Sequence, residues 1–221
     1  MPDLTSPSPK TILLVDDHPI VSLGLKSLVE ESEDFVVQHV VTCNQEAVDW
    51  CGKETPDLIV LDLHLPGRNG LDVIPLLRQE CSKTRIVVYS SMPEELYAAR
   101  CIKAGACAYV HKESGPSQLI KALYGVLDGK IVVSESVQQD MLRQHSGHHA
   151  SGDDLSVLSN QELHVFRLIG SGLRSSDIAT KLGISPKTVG SHRERIKNKL
   201  TLHSGKELDQ LAMSRFSSFL E

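Results

Sequence analysis

The chain has 221 residues, enough for one large domain or two of ordinary size, and its hydrophobic fraction of 40% supports a globular core. No apolar stretch approaches the ~18 residues that a membrane-crossing helix needs, so no membrane partner is expected. The net charge of −5 conceals a split: residues 1–154 carry 13 basic and 22 acidic side chains, whereas residues 155–221 carry 10 and 6. An acidic front and a basic back imply two domains with different partners, nucleic acid being the candidate for the second.

Residues 1–9 have neither the basic nor the apolar segment of a secretory signal and read as a disordered tail. The five cysteines (Cys43, Cys51, Cys81, Cys101 and Cys107) form no CxxC pair, and their odd number leaves no complete disulfide framework. A reducing cytoplasm is the expected home.

The first apolar run, residues 11–15, leads into Asp16 and Asp17, and a helix follows with apolar residues at Ile20, Leu23, Leu25, Leu28 and Val29. A strand over 35–42 and a helix over 45–52 come next. Residues 58–61 then run into Asp62, 85–89 into Ser90, and 108–111 into Lys112. Helical patterns separate them at 71–80 and 94–104. A last helix begins at Pro116, suited to a first turn, and carries Leu119, Ile120, Leu123 and Leu127 before Gly129. Near-continuous apolar strands alternating with helices predict an α/β domain over 10–130, a doubly wound five-stranded parallel sheet.

From residue 130 the pattern fades. A short helix fits 134–144, and the small, polar, aperiodic stretch to Asp154 reads as a linker, so 131–154 is assigned to one. Its histidines lack a fourth ligand at metal spacing and read as incidental. Beyond Leu155 no strand signal appears. Ser159 and Glu162 are spaced as a capping box before Leu163, Val165, Phe166, Leu168 and Ile169, with a stop at Gly170 or Gly172. A second helix opens at Ser175 and ends at Gly183, and Ser185-Pro186 opens a third with Val189, Ile196 and Leu200 inward. A fourth uses Leu208, Leu211, Ala212 and Phe216. An all-α domain over 155–221 is predicted.

Ligands of doubly wound sheets bind beyond the carboxyl ends of the strands. Asp16, Asp17, Asp62, Ser90 and Lys112 should therefore converge. Each alone reads as an ordinary helix cap or solvated strand end, but five in this order point to a site. Three carboxylates together require a cation, and hard oxygen ligands suit Mg²⁺. One carboxylate, best placed on the central strand, can attack phosphorus and carry the phosphoryl group. A lysine completes the electrostatic clamp, and a hydroxyl can donate to the product.

On these residues the chain resembles the receiver (CheY-like) domain of two-component response regulators. The matching segments are Val15-Asp16-Asp17-His18-Pro19, Leu61-Asp62-Leu63-His64-Leu65-Pro66-Gly67-Arg68-Asn69-Gly70, Tyr89-Ser90-Ser91, and Lys103-Ala104-Gly105-Ala106 with Tyr109 and Lys112. The resemblance implies that Asp62 accepts phosphate from a histidine kinase. It implies that Asp17, Asp62 and the backbone carbonyl of His64 ligate Mg²⁺, with Asp16 acting largely through water. Ser90, Tyr109 and Lys112 would contact the phosphoryl group and form the switch. A phosphohydrolase that also uses an aspartate nucleophile would need a second acid two residues on, where this chain has His64.

In the basic half, two short helices joined by Gly183-Ile184-Ser185-Pro186 fit a helix-turn-helix, whose second helix enters the major groove of double-stranded DNA. That helix carries Lys187, Thr188, Ser191, His192, Arg193, Arg195, Lys197 and Lys199, with Glu194 its only acid. The segments Leu158-Ser159-x-x-Glu162, Ile178-Ala179-x-x-Leu182-Gly183-Ile184-Ser185-x-x-Thr188-Val189 and His192-Arg193-x-x-Ile196-x-x-Lys199-Leu200 resemble the LuxR-type helix-turn-helix. Together the halves resemble a NarL/FixJ-type response regulator. Such a protein is a cytoplasmic bacterial transcription regulator that forms a homodimer on DNA when phosphorylated, and is not an enzyme apart from self-phosphorylation and self-dephosphorylation. Two departures stand out. Thr201 replaces the glycine often found after the Lys-Leu pair. Gly190 and Ser191 occupy positions where the family often has long polar side chains for base contact. A protein-interaction adaptor without DNA binding is the alternative that Gly190 favours.

Overall fold

Every apolar run of the first half forms a strand in the computed structural model, which describes residues 8–65, 69–145 and 155–216. The strands are β1 (Lys10–Val15), β2 (Phe35–Val41), β3 (Leu58–Leu61), β4 (Arg85–Ser90) and β5 (Ala108–His111). They pair in parallel in the order β2-β1-β3-β4-β5. This is the doubly wound sheet that the alternating pattern predicts. Its helices are α1 (Pro19–Glu30), α2 (Asn44–Cys51), α3 (Gly70–Glu80), α4 (Glu94–Ala104) and α5 (Pro116–Leu127).

The central strands are buried on both faces, as their lack of polar alternation requires: β3 is Leu-Ile-Val-Leu with no exposed position. Leu25 and Val29 of α1 and Leu119, Leu123 and Val126 of α5 cover one face with Ile12, Leu14, Val60 and Val87 beneath them. The register places Val15 beside Leu61, and Leu61 beside Val88. The residues that follow these strands therefore emerge at one edge.

Within the segment 131–154 the short helix that fits 134–144 forms, and the chain before it is attached to the sheet. Val132 bridges Ala108 at the outer edge of β5, accepting from Tyr109 N at 2.9 Å and donating to Cys107 O at 3.0 Å. Helix α6 (Glu135–His145) follows, and Val137 is buried. Ser134 Oγ donates to Glu94 Oε1 of α4 at 2.8 Å and accepts from Val137 N at 3.3 Å. The chain divides into two compact units at 142/143, so this stretch belongs with the sheet. Residues 146–154 and 217–221, the side chains of Gln144 and His145, residues 66–68 and the expected tail over residues 1–7 lie outside the described residues.

The second unit is helical: α7 (Asn160–Gly170), α8 (Ser175–Leu182), α9 (Pro186–Lys199) and α10 (Gly205–Phe216). Ser159 and Glu162 form the predicted capping box at α7, the Ser159 N–H donating to Glu162 Oε2 at 2.8 Å. Ser185 caps α9 by accepting from Thr188 N at 3.0 Å. Gly170 ends α7 where α10 crosses it. A Cβ there would lie 2.5 Å from the Ala212 carbonyl oxygen, so no other residue fits without separating the helices.

Thr201 explains the departure after Lys-Leu. Its φ is +56°, in the left-handed region, and Leu202 N donates to Lys197 O at 2.8 Å to close a Schellman-type end on α9. A β-branched residue is strained there by about 1–2 kcal/mol. Thr201→Gly is therefore expected to stabilise the second unit by about 1 kcal/mol, part of the relief being offset by the unfolded chain's entropy. Urea unfolding of parent and variant would show it, and an unchanged or lower midpoint would contradict the strain.

Candidate functional site

Asp16 follows β1, Asp62 follows β3, Ser90 ends β4, and Lys112 follows β5 at the start of a short 3-10 turn, Lys112–Ser114. The sheet order makes them neighbours although up to 96 residues separate them. Lys112 Nζ lies 2.8 Å from Asp16 Oδ2 and 2.7 Å from Asp62 Oδ2, and both carboxylates are almost fully buried. Burial alone would lower the lysine pKa, but Asp62 and Asp16 outweigh it and hold the ammonium above its ordinary value.

Asp62 Oδ1 accepts from Ser90 Oγ at 2.8 Å and from the His64 N–H at 3.0 Å. Ser90 Oγ accepts in turn from Met92 N at 3.4 Å. Tyr109, fully enclosed, donates its hydroxyl to the Met92 carbonyl at 2.6 Å. Burial raises its pKa well above the usual phenol value, which keeps it a neutral donor. Ser90 thus touches the carboxylate directly, whereas Tyr109 reaches the same loop from beneath.

Asp16 Oδ1 accepts from the His18 N–H at 2.8 Å, so both of its oxygens are engaged. Asp17 differs. Its Oδ1 is shielded from solvent and makes no hydrogen bond, although His18 Nδ1 lies 2.9 Å away as a potential ion-pair partner. Ligand atoms of Asp16, Asp17, His18 and Asp62 all fall within 4.8 Å of one another. A shielded, unsatisfied carboxylate oxygen beside two further carboxylates fits a hard divalent cation. The part played by His18 was not anticipated from the sequence. Only its place directly after the acidic pair signals it.

On α9, Lys187, Thr188, Ser191 and Arg195 are exposed, opposite buried Val189 and Ile196, while His192 is half-buried. The other cations are engaged. Arg193 binds Asp209 Oδ1 of α10 at 2.6 Å, and Lys197 pairs with Glu194 Oε1 at 2.9 Å. Lys199 Nζ lies 2.7 Å from Glu162 Oε2 and donates to the Val157 carbonyl at 3.2 Å. Burial would raise the Glu162 pKa, but hydrogen bonds from Lys199 and the Ser159 backbone lower it below the ordinary glutamate value. In the free protein Lys199 ties α9 to the start of α7. Nothing in helical spacing reports a partner 37 residues upstream.

Residues 12–124 match the family model of the response regulator receiver domain, and 156–212 match that of bacterial regulatory proteins of the luxR family. The chain belongs to the two-component response regulators of NarL/FixJ type, with a receiver followed by a LuxR-type DNA-binding domain. Among its relatives, the nitrate/nitrite response regulator protein NarL of Escherichia coli is 33% identical over 202 residues, covering 91% of this chain and 94% of NarL. Response regulator UvrY of the same organism is 29% identical over 202 residues, covering 91% and 93%. A LuxR-family regulator from an Aurantimonas species superposes at TM-score 0.58 with 32% identity, over 63% of this chain and 99% of its own. RcsB of Salmonella typhimurium shares the fold at TM-score 0.72 and 24% identity, over 94% and 98%. Among the described residues, no helix is long and apolar enough to cross a membrane.

Lys112→Met would leave the Asp16 and Asp62 carboxylates facing each other without their cation. Removing one partner of a buried ion pair costs about 3–5 kcal/mol, and somewhat less is expected for this partly accessible group. Because the lysine pKa is raised, the parent's advantage is full at neutral pH and shrinks as pH climbs past the ordinary lysine value of 10.5. Denaturant midpoints of the two proteins across alkaline pH should converge. Equal stability at pH 7 would contradict the argument.

Proposed function

We propose that this regulator is switched by phosphorylation of Asp62, received from a histidine kinase, and that the phosphorylated chain binds double-stranded DNA as a homodimer to control transcription. The observation that carries the reading is the environment of Asp62: Ser90 on one oxygen, Lys112 on the other, and two further carboxylates alongside. In transfer, a phosphorus–nitrogen bond of the donor breaks as an Asp62 oxygen bonds to phosphorus. The Lys112 ammonium stays in place to balance charge on the phosphoryl oxygens. Asp17, Asp62 and the His64 carbonyl would hold Mg²⁺, with Asp16 contributing through water. Mg²⁺ supplies charge neutralisation at the transferring group.

After transfer, Ser90 turns its hydroxyl from Asp62 to a phosphoryl oxygen. That movement pulls on the loop through Met92 and on Tyr109, which is anchored to the same residue. The receiver is assigned to residues 10–130, the DNA-binding domain to 155–221, and the intervening 131–154 to the connection between them. Bacterial relatives and a DNA target support a cytoplasmic setting. The chemistry is confined to the chain's own phosphorylation and dephosphorylation.

For DNA contact, Lys187, Thr188, Ser191 and Arg195 present the free face of α9, and His192 borders it. Arg193, Lys197 and Lys199 would have to leave their carboxylate partners to reach phosphate.

Incubation with Mg²⁺ and a small acyl phosphate should add one alkali-labile phosphoryl group to the parent and none to Asp62→Asn. Undiminished labelling of the variant would refute the assignment. Calorimetry should find Mg²⁺ binding weakened more by Asp17→Asn than by Asp16→Asn, since Asp17 has the unsatisfied oxygen. Equal losses would count against direct ligation by Asp17. Lys187→Ala and Arg195→Ala should each lower the salt slope of DNA binding by about one. Arg193→Ala should lower it less, because Asp209 already holds that guanidinium.

A further inference from the structure

Gly190 and Glu194 sit one turn apart on α9; Glu194 faces away from buried Val189 and Ile196, and half-buried Gly190 borders that outer face. Nothing inside the protein calls for glycine at 190. A Cβ there would meet no atom within 4 Å, and the backbone has no positive φ. Glycine within a helix weakens it relative to alanine, so its advantage lies on the outer surface, where it leaves a notch. Side chains on a helix lean toward its N-terminus, so Glu194, once released from Lys197, can reach over that notch.

Glu194 is the one acid of α9, and its side chain is 67% exposed, held in the free protein by Lys197 at 2.9 Å. A carboxylate turned toward DNA is repelled by phosphates unless a base edge satisfies it. It can only accept hydrogen bonds. The major groove offers base donors at cytosine N4 and adenine N6 alone, and adenine sets an acceptor, N7, directly beside its donor. Cytosine is the better match.

We propose that Glu194 reads a cytosine through its N4 amino group, and that Gly190 lets the backbone of α9 approach the groove floor closely enough for this contact. The proposal rests on the reading of α9 as the helix that enters DNA. It makes Glu194 a specificity-determining residue, released from Lys197 on binding.

The test is selection of a randomised duplex library by the full chain treated with an acyl phosphate and Mg²⁺, followed by sequencing of the bound fraction. The parent should enrich cytosine at one position of each half-site. Glu194→Ala should lower that preference about tenfold, the ratio that corresponds to a typical single base contact. It should also bind random DNA more tightly, having lost a negative charge. Glu194→Gln, which can pair with adenine's donor and acceptor together, should move the preference toward adenine. Gly190→Leu, whose Cβ meets no atom within 4 Å in the free protein, should weaken the selected sites while leaving salt-dependent binding to random DNA. An unchanged cytosine preference in Glu194→Ala would overturn the proposal, as would a parent that binds DNA without preferring cytosine. Absence of any salt-dependent DNA affinity in the parent would instead remove the DNA-binding reading itself.

Discussion

The position of one ammonium group organises the first unit. Lys112 Nζ lies within 2.8 Å of carboxylates that follow β1 and β3, yet it is carried by the segment after β5. It reaches past β4, whose last residue, Ser90, occupies the space between. The contact survives only if all four strands keep their register. A slip of one residue would turn every side chain of a strand to its opposite face. Both faces of these strands are apolar, so what fixes the register is the polar residues bounding each run: a slip would draw Asp16, Asp62 or Lys112 between the covering helices, and the strand ends arrive together as a result. Packing far from the site thus sets distances within it.

The second unit is held together partly by charges that a linear reading would assign to a ligand. Arg193 secures α9 to α10 through Asp209, and Lys199 secures it to the cap of α7 through Glu162. The basic character of α9 is therefore divided between inward ties and a narrower outward stripe. Its far end turns sharply at Thr201, at a conformational cost that the surrounding hydrogen bonds sustain.

Strands were legible in the sequence because apolar runs of this kind have few other destinations, and the acidic site was legible because parallel sheets gather strand ends. The capping box at Ser159 and Glu162 was legible because it is local. Less visible were contacts that depend on tertiary proximity. The Met92 carbonyl that receives Tyr109 is a backbone atom and leaves no mark on residue identity. Asp209 lies 16 residues from Arg193 and on another helix. Thr201 was recognisable as unusual only against a family pattern, and its φ supplies the reason. The helix after residue 130 was legible as α6, but its attachment to the sheet was not, because that attachment uses Ser134, Val137 and one bridge at Val132 rather than a long apolar stripe.

That bridge has a consequence for solubility. β5 borders the sheet, and an outer strand presents unpaired backbone groups on which another chain can template itself. The N–H of Tyr109 and the carbonyl of Cys107 would be among those groups, and Val132 occupies both. The start of the connecting segment therefore acts as a guard rail along this margin of the domain. A truncation placed just after α5, at the helix end where a receiver is conveniently cut, would strip this guard and leave a sticky edge.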